Sequence, residues 1–244
     1  MKTLTLLSIG IILLLSCVQA NNNKEQKTDK NLKSKIIVQS PSIIELNDTI
    51  FTFENCKSGN LPKNWAQYAT GRGKNTEWKI IDDKGNKVLA QLSKNNPNYH
   101  FNDVVFNGFE AKNIELSVKL KGFQGKMDRG GGFIWRFKDA DNYYVVRANP
   151  LEDNVVLYKV KNGKRSDLPI LGKGRTYGVD VEKLGNDWNV LKLKVVDDLF
   201  TVYLNGKELF KVKDQTFTEA GKIGLWTKAD AVSYFDDFKV KILK

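Results

Sequence analysis

Histidine occurs once in these 244 residues, cysteine twice and proline five times, and each scarcity closes a possibility. One histidine, His100, leaves no His-clustered metal centre and argues against a Ser-His-Asp triad; it reads as a structural or rim residue. Two cysteines are too few for a disulfide scaffold or a cysteine zinc site, and with Cys17 in a leader segment, Cys56 stands as a lone thiol. After the first twenty residues no apolar run approaches the roughly 20 residues of a membrane helix. No segment keeps a 3.6-residue period for three turns, and 214–220 is at most one short helical turn. Internal repeats are missing too: the tryptophans at 65, 78, 135, 188 and 226 have no fixed spacing. Acidic residues number 28 against 39 basic ones, a net charge of +11. Yet 33 of those 39 are lysine, scattered along strands rather than gathered on one face, which suits sheet solvation and not nucleic acid. Gly71-Arg72-Gly73-Lys74 lacks the spacing and strand-to-helix setting of a phosphate loop.

What is present begins with a leader. Met1-Lys2, the apolar run Leu4 to Leu15 and then Ser16-Cys17 make residues 1–20 an export signal. Leu14-Leu15-Ser16-Cys17 is similar to a bacterial lipobox, which would make Cys17 the lipidated residue; Val18-Gln19-Ala20 would instead serve an ordinary signal peptidase. The lipobox reading is the preferred one. It places the protein at a bacterial cell envelope, periplasmic or on the outer membrane, as a monomer held to the membrane through lipid alone. Residues 21–46, rich in lysine and asparagine, read as a flexible polar tether.

Residues 47–244 are a succession of short alternating runs broken by turns, about a dozen strands with no βαβ alternation. Asn205-Gly206 and Asn162-Gly163 are hairpin signals. The pattern predicts an all-β, two-sheet antiparallel sandwich. Within it, GGGFIWRFKDADNYYVVRANPLEDNVVLYKV (130–160) splices arginine, tyrosine and asparagine into runs that otherwise look like buried strand. Alternation puts Phe133, Trp135 and Phe137 on one face with Tyr144, Val146 and Ala148, facing the core. The opposite face then collects Arg136, Tyr143, Arg147 and Asn149. If 150–153 turns the chain, Asn154 and Tyr158 join them. Planar donors, amides and rings on one face are what a sugar asks for, and arginine also suits a carboxylate-bearing ligand. The plain alternative is a solvated outer face with its arginines lying along the sheet, cheap to truncate. Gly130-Gly131-Gly132, just before a strand, relieves crowding or makes a bulge.

The same run, with WNVLKLKVVDDLFTVYLNGKELFKV and AGKIGLWTKADAVSYFDDFKV, resembles a bacterial family of concanavalin A-like jelly-roll domains of the 3-keto-disaccharide hydrolase type, loosely family-16 glycoside-hydrolase-like. The resemblance covers roughly residues 50–244. It implies a sandwich with one concave face suited to saccharide, and either a glycosidase or a non-catalytic, lectin-like binding module. The Glu-x-Asp-x-x-Glu strand of true family-16 hydrolases is missing, since no glutamate is followed two positions later by aspartate. Only Glu152 and Asp153, beside the proposed face, remain as candidate acid and base. No cofactor is required. Glu54 and Asp237 resemble the pairing that clamps a structural calcium between first and last strands of carbohydrate-binding jelly rolls; turn and edge solvation is the other account of them.

Overall fold

The computed structural model describes residues 48–73, 76–174 and 176–243, and the two-residue strand β1 (Leu13–Leu14). The leader apart from β1, the candidate lipidation residue Cys17 and the tether lie outside the described residues. The described chain holds no helix. Its strands are β2 (Asp48–Phe51), β3 (Trp65–Gly71), β4 (Trp78–Asp83), β5 (Asn86–Gln91), β6 (His100–Ala111), β7 (Ile114–Gln124), β8 (Gly131–Asp139) and β9 (Asn142–Asn149), then β10 (Asn154–Lys161), β11 (Lys164–Asp167), β12 (Val179–Asp180), β13 (Asn189–Val196), β14 (Leu199–Leu204), β15 (Lys207–Lys213), β16 (Gly221–Lys228) and β17 (Val232–Ile242).

Two sheets form, and their pairings are antiparallel except for β1 on β2. One runs β1-β2-β17-β7-β13-β14-β15, with β5 paired to β17 and β4 to β5; the other runs β11-β10-β9-β8-β16-β6-β3, with β12 on β10. This is the predicted all-β sandwich. Both expected hairpins are there: Asn162 and Gly163 (φ 50° and 72°) close β10–β11, and Asn205 and Gly206 (49° and 83°) close β14–β15. Two successive positive φ values give the turn whose twist matches that of the flanking strands.

Between the sheets lies the core. The Phe51 ring meets Trp65 edge-on at 5.4 Å and Phe238 face-on at 5.8 Å, tying the first long strand to the last. Further along, Trp135 stacks on Tyr144 at 5.3 Å and meets Phe200 edge-on at 5.3 Å. Burying each such side chain stabilises by about 1.5–3 kcal/mol. Cys56 is disulfide-bonded, not free. The expectation of a lone thiol assumes a mature chain whose Cys17 sulfur carries lipid, a state in which that sulfur has no disulfide to offer.

The other face of the β11-to-β3 sheet is also largely closed. Phe101, Ile134, Phe137, Tyr143, Tyr158 and Trp226 form a second buried cluster there. The Arg165 guanidinium roofs it, 4.3 Å from the Tyr158 ring centre, 5.1 Å from Phe101 and 5.8 Å from Trp226. The Tyr99 hydroxyl pins this roof by donating to the Gly163 carbonyl and accepting from the Arg165 amide.

Candidate functional site

The face opens at one end, where β9 turns into β10. Asn149 starts the turn: its Oδ1 accepts from Leu151 N at 3.0 Å and its carbonyl from Glu152 N at 3.2 Å. Asp153 ends it in the left-handed region, φ 46°. The turn sets Asn154 opposite Asn149 and Val156 opposite Arg147, so every second residue shares one face. On the neighbouring strand Gly132 lies opposite Arg147. A Cβ at Gly132 would stand 1.8 Å from the Val146 carbonyl oxygen, so the crowding expected of the glycine run is real.

Arg147 is the centre of this end, 1% exposed and lodged between two phenol rings, Tyr158 at 5.9 Å and Tyr177 at 5.7 Å. Its Nη2 donates to Glu152 Oε2 at 2.9 Å and to the hydroxyls of Tyr158 (3.3 Å) and Tyr177 (3.2 Å); Nη1 donates to Asn154 Oδ1 and to its carbonyl. Asn154 Nδ2 also reaches Glu152 Oε2, at 3.1 Å. Asn149 Nδ2 bridges two carboxylates, Glu152 Oε1 at 3.3 Å and Asp128 Oδ1 at 3.4 Å. Partial burial would push the Glu152 carboxyl up, but the Arg147 charge and the Asn154 bond outweigh it and hold it below the usual range. Burial likewise opposes charge on Arg147, and the oxygens of Tyr158 and Glu152 overcome it, moving its pKa up. The pair is ionised at neutral pH. Two groups reach water: the Glu152 side chain at 40% and Tyr177 at 53% exposure.

Arg147, Asn149, Glu152, Asn154 and Tyr158 therefore converge, and the other candidates lie elsewhere. Arg136 sits in a β-bulge, φ 47°, where two residues of β8, Trp135 and Arg136, oppose one of β16, Ile223. The extra residue reverses the alternation. Phe137, assigned to the core by parity, packs in the second cluster instead. Arg136 leaves that face and turns its guanidinium onto the carbonyls of Phe217 (2.6 Å), Lys112 (3.2 Å) and Asp197, 5.6 Å from the Phe200 ring. Tyr143 lies under the roof. Asp153 faces away and accepts from Leu184 N at 3.0 Å. Glu54 accepts from Lys87 N at 3.2 Å, and Asp237 is paired with Lys119 at 2.7 Å. Among the described residues no three His, Cys, Asp or Glu gather in a way that could hold a metal ion.

Three residues fall outside the sequence reading, two of them beyond the reach of parity. Tyr177 comes from the irregular stretch before β12, and Asp128 from the β7–β8 loop. Asp103, on β6, is sealed under the roof: Thr70 Oγ1 donates to its Oδ2 at 3.1 Å, and Tyr143 lies 3.5 Å from Oδ1. Burial pushes its carboxyl well above the usual range, with the Thr70 and Tyr143 bonds opposing. Alternation of Phe101, Asp103 and Val105 along β6 does put Asp103 on the right face, but nothing in the sequence ties it to Thr70.

No family model matches the chain, and no curated protein matches it in sequence. Solved structures do match. One is a carbohydrate binding module, CBM66 from Bacillus subtilis: TM-score 0.56, 20% identity, covering 73% of this chain and 95% of that one. Another is the cellulose induced protein Cip1, at 0.56 and 12% identity over 80% and 97%. A mutant of the GH43 protein BlXynB from Bacillus licheniformis matches at 0.56 and 15% identity, over 82% of this chain and 40% of that one. The likeness is one of fold.

Proposed function

We propose that this chain is an exported carbohydrate-binding module of a bacterial cell envelope that takes saccharide as a monomer at the Arg147–Glu152–Tyr177 end of its sheet. One observation carries the reading: a buried arginine, engaged mostly by side chains, holds an ionised and half-open carboxylate beside an exposed phenol ring. Such a carboxylate accepts two sugar hydroxyls, and the ring lies against a sugar's C–H face. Arg147 positions these groups and does not itself touch the ligand. The sandwich shared with a carbohydrate binding module and a GH43 protein supports the same class of ligand.

The glycosidase reading, including a 3-keto-disaccharide hydrolase, has one observation in its favour: Glu152 and Asp128 flank a single amide, as two catalytic carboxyls would. Against it, a general acid must hold its proton near neutral pH, and Glu152 is shifted the other way. Asp128 is buried against Gly130 N at 2.8 Å and Lys228 at 3.5 Å. The test is a glycan array with the full-length protein in detergent, followed by calorimetry on the best ligand. Glu152→Gln and Tyr177→Ala are each expected to weaken that ligand roughly tenfold or more with the melting temperature unchanged within a few degrees. Cleavage of the bound glycan, lost in Glu152→Gln, would replace the module with a hydrolase; undiminished affinity in both variants would remove the site.

A further inference from the structure

The β7–β8 loop serves two places at once. Asp128 turns toward Asn149, while Lys126 and Arg129 on either side of it line a separate cleft of about 480 Å³ with Lys94, Phe123, Asn186 and Asp230. The loop's course is fixed locally. Gly125 stands at φ 140°, and a Cβ there would lie 1.8 Å from the Asp128 carbonyl oxygen. The Asp230 carboxylate gathers the amides of Lys126, Met127 and Asp128 at 2.7, 3.1 and 3.0 Å. Burial would raise the Asp230 carboxyl, but those amides keep it below the usual range, so its charge answers the loop backbone.

The three cations of the cleft are left without a carboxylate partner among the described residues. Arg129 donates to neutral acceptors only, the Gly125 carbonyl at 3.1 Å and Asn186 Oδ1 at 3.5 Å, and its buried Nε has no partner. Four lysines elsewhere are neutralised: Lys119, Lys121, Lys159 and Lys192 each sit 2.5–2.9 Å from a carboxylate. Beside the cations, Phe123 is 42% exposed, and its inner face stacks on Tyr234 at 4.9 Å and 16°. That leaves a fixed, open ring face next to unpaired positive charge. The volume lies in the range of small-ligand sites.

We infer that this cleft is a second saccharide site, selective for an acidic sugar whose carboxylate or sulfate meets Lys94, Lys126 and Arg129 while its C–H face lies on Phe123. The site is separate from the Arg147 end and does not need that end to bind; the choice of a sugar over another anion rests on the carbohydrate reading above.

The test is calorimetry on the full-length protein in detergent with trigalacturonate, its methyl ester and hexaglutamate as probes. Trigalacturonate is expected to bind, with affinity lowered about tenfold or more by Lys94→Ser/Lys126→Ser and by Phe123→Ala, and unchanged by Glu152→Gln. The two lysines are exposed and make no ion pair among the described residues, so the double variant should fold. The ester should bind at least tenfold more weakly, and whatever hexaglutamate binds should not depend on Phe123. No binding of trigalacturonate, equal binding of the ester, or hexaglutamate binding that Phe123→Ala also weakens would each overturn the inference. A loss in Glu152→Gln alone assigns the acid to the Arg147 end and overturns it as well. If neutral glycans fail everywhere while the lysine-dependent binding stands, the module's main site falls and this one remains.

Discussion

Arg136 and Arg147 lie on adjacent strands of one sheet, eleven positions apart, and both are 1% exposed. They do different work. Arg136 gives its protons to three backbone carbonyls from three separate loops, those of Phe217, Lys112 and Asp197. A carbonyl in a packed loop has nowhere else to turn, so this arginine spends both of its Nη atoms on joining chain segments. Burial lowers its pKa, with Tyr144 and Asp197 opposing. Arg147 gives its protons mostly to side chains, and two of them, Glu152 and Tyr177, still face water. An arginine bound to backbone is a strut, whereas an arginine bound to partly open side chains sets the shape of a site.

The largest effect that sharpens this contrast is on the strut. Arg136→Ala strands three carbonyls at about 1–3 kcal/mol each if water does not replace the donor, for an expected loss of roughly 3–5 kcal/mol. Chemical denaturation should show it, and the folded fraction should bind glycan with unchanged affinity. A fully stable Arg136→Ala that no longer binds would exchange the roles of the two arginines. Trp135→Ala sets the scale beside it: the ring is wholly buried between Tyr144 and Phe200, and its loss should cost about 3–5 kcal/mol.

Next comes Arg147→Ala, which should lower both quantities. Seen as a residue of a solvated sheet face it would be nearly free to remove. At 1% exposure, with Asn154, Glu152 and two hydroxyls depending on it, the expected cost is about 2–3 kcal/mol of stability along with roughly tenfold or more in glycan affinity. Arg147→Lys keeps the charge but not the fork, so it should recover part of the stability and little of the affinity. Full recovery of binding by lysine would mean that charge alone, and not the placement of Glu152 and Tyr177, makes the site.

Much of this is legible in the sequence. Alternation places Trp135, Tyr144 and Val146 in the core and Arg147, Asn149 and Asn154 on the opposite face, because an uninterrupted strand has a strict period of two. The same rule fails at Arg136, since one bulged residue reverses every later side chain of β8, and no residue type announces that bulge. Exposure was the other blind spot. Parity tells which face a residue takes, but not that Arg165 of β11 folds over that face, pinned by Tyr99 just before β6, and closes its middle. Tyr177 and Asp128 had no signal at all, since a loop residue has no parity and its partner is set by tertiary packing.

The smallest expected effect tests the closed middle against the open end through pH. Asp103 and Glu152 are carboxyls of the same sheet face shifted in opposite directions, Asp103 up by burial and Glu152 down by Arg147 despite burial. For Asp103 the folded chain holds a proton that the unfolded chain has already released above the ordinary aspartate range. Its contribution to stability is therefore full at low pH and declines as pH rises toward the folded-state pKa. Asp103→Asn keeps a neutral side chain of the same shape between Thr70 and Tyr143, and removes that decline. The variant's melting temperature should match wild type near pH 4 and exceed it by a growing margin toward pH 8, with a gain on the order of 1 kcal/mol. Glu152→Gln should behave the opposite way: wild type gains on the variant as pH rises through the carboxylate range, because the ionised form is the one Arg147 holds. Melting curves of the three proteins at half-unit steps decide it. A margin for Asp103→Asn that stays flat or shrinks with pH would show that Asp103 is ionised in the fold, and that the middle of the face is open to water after all.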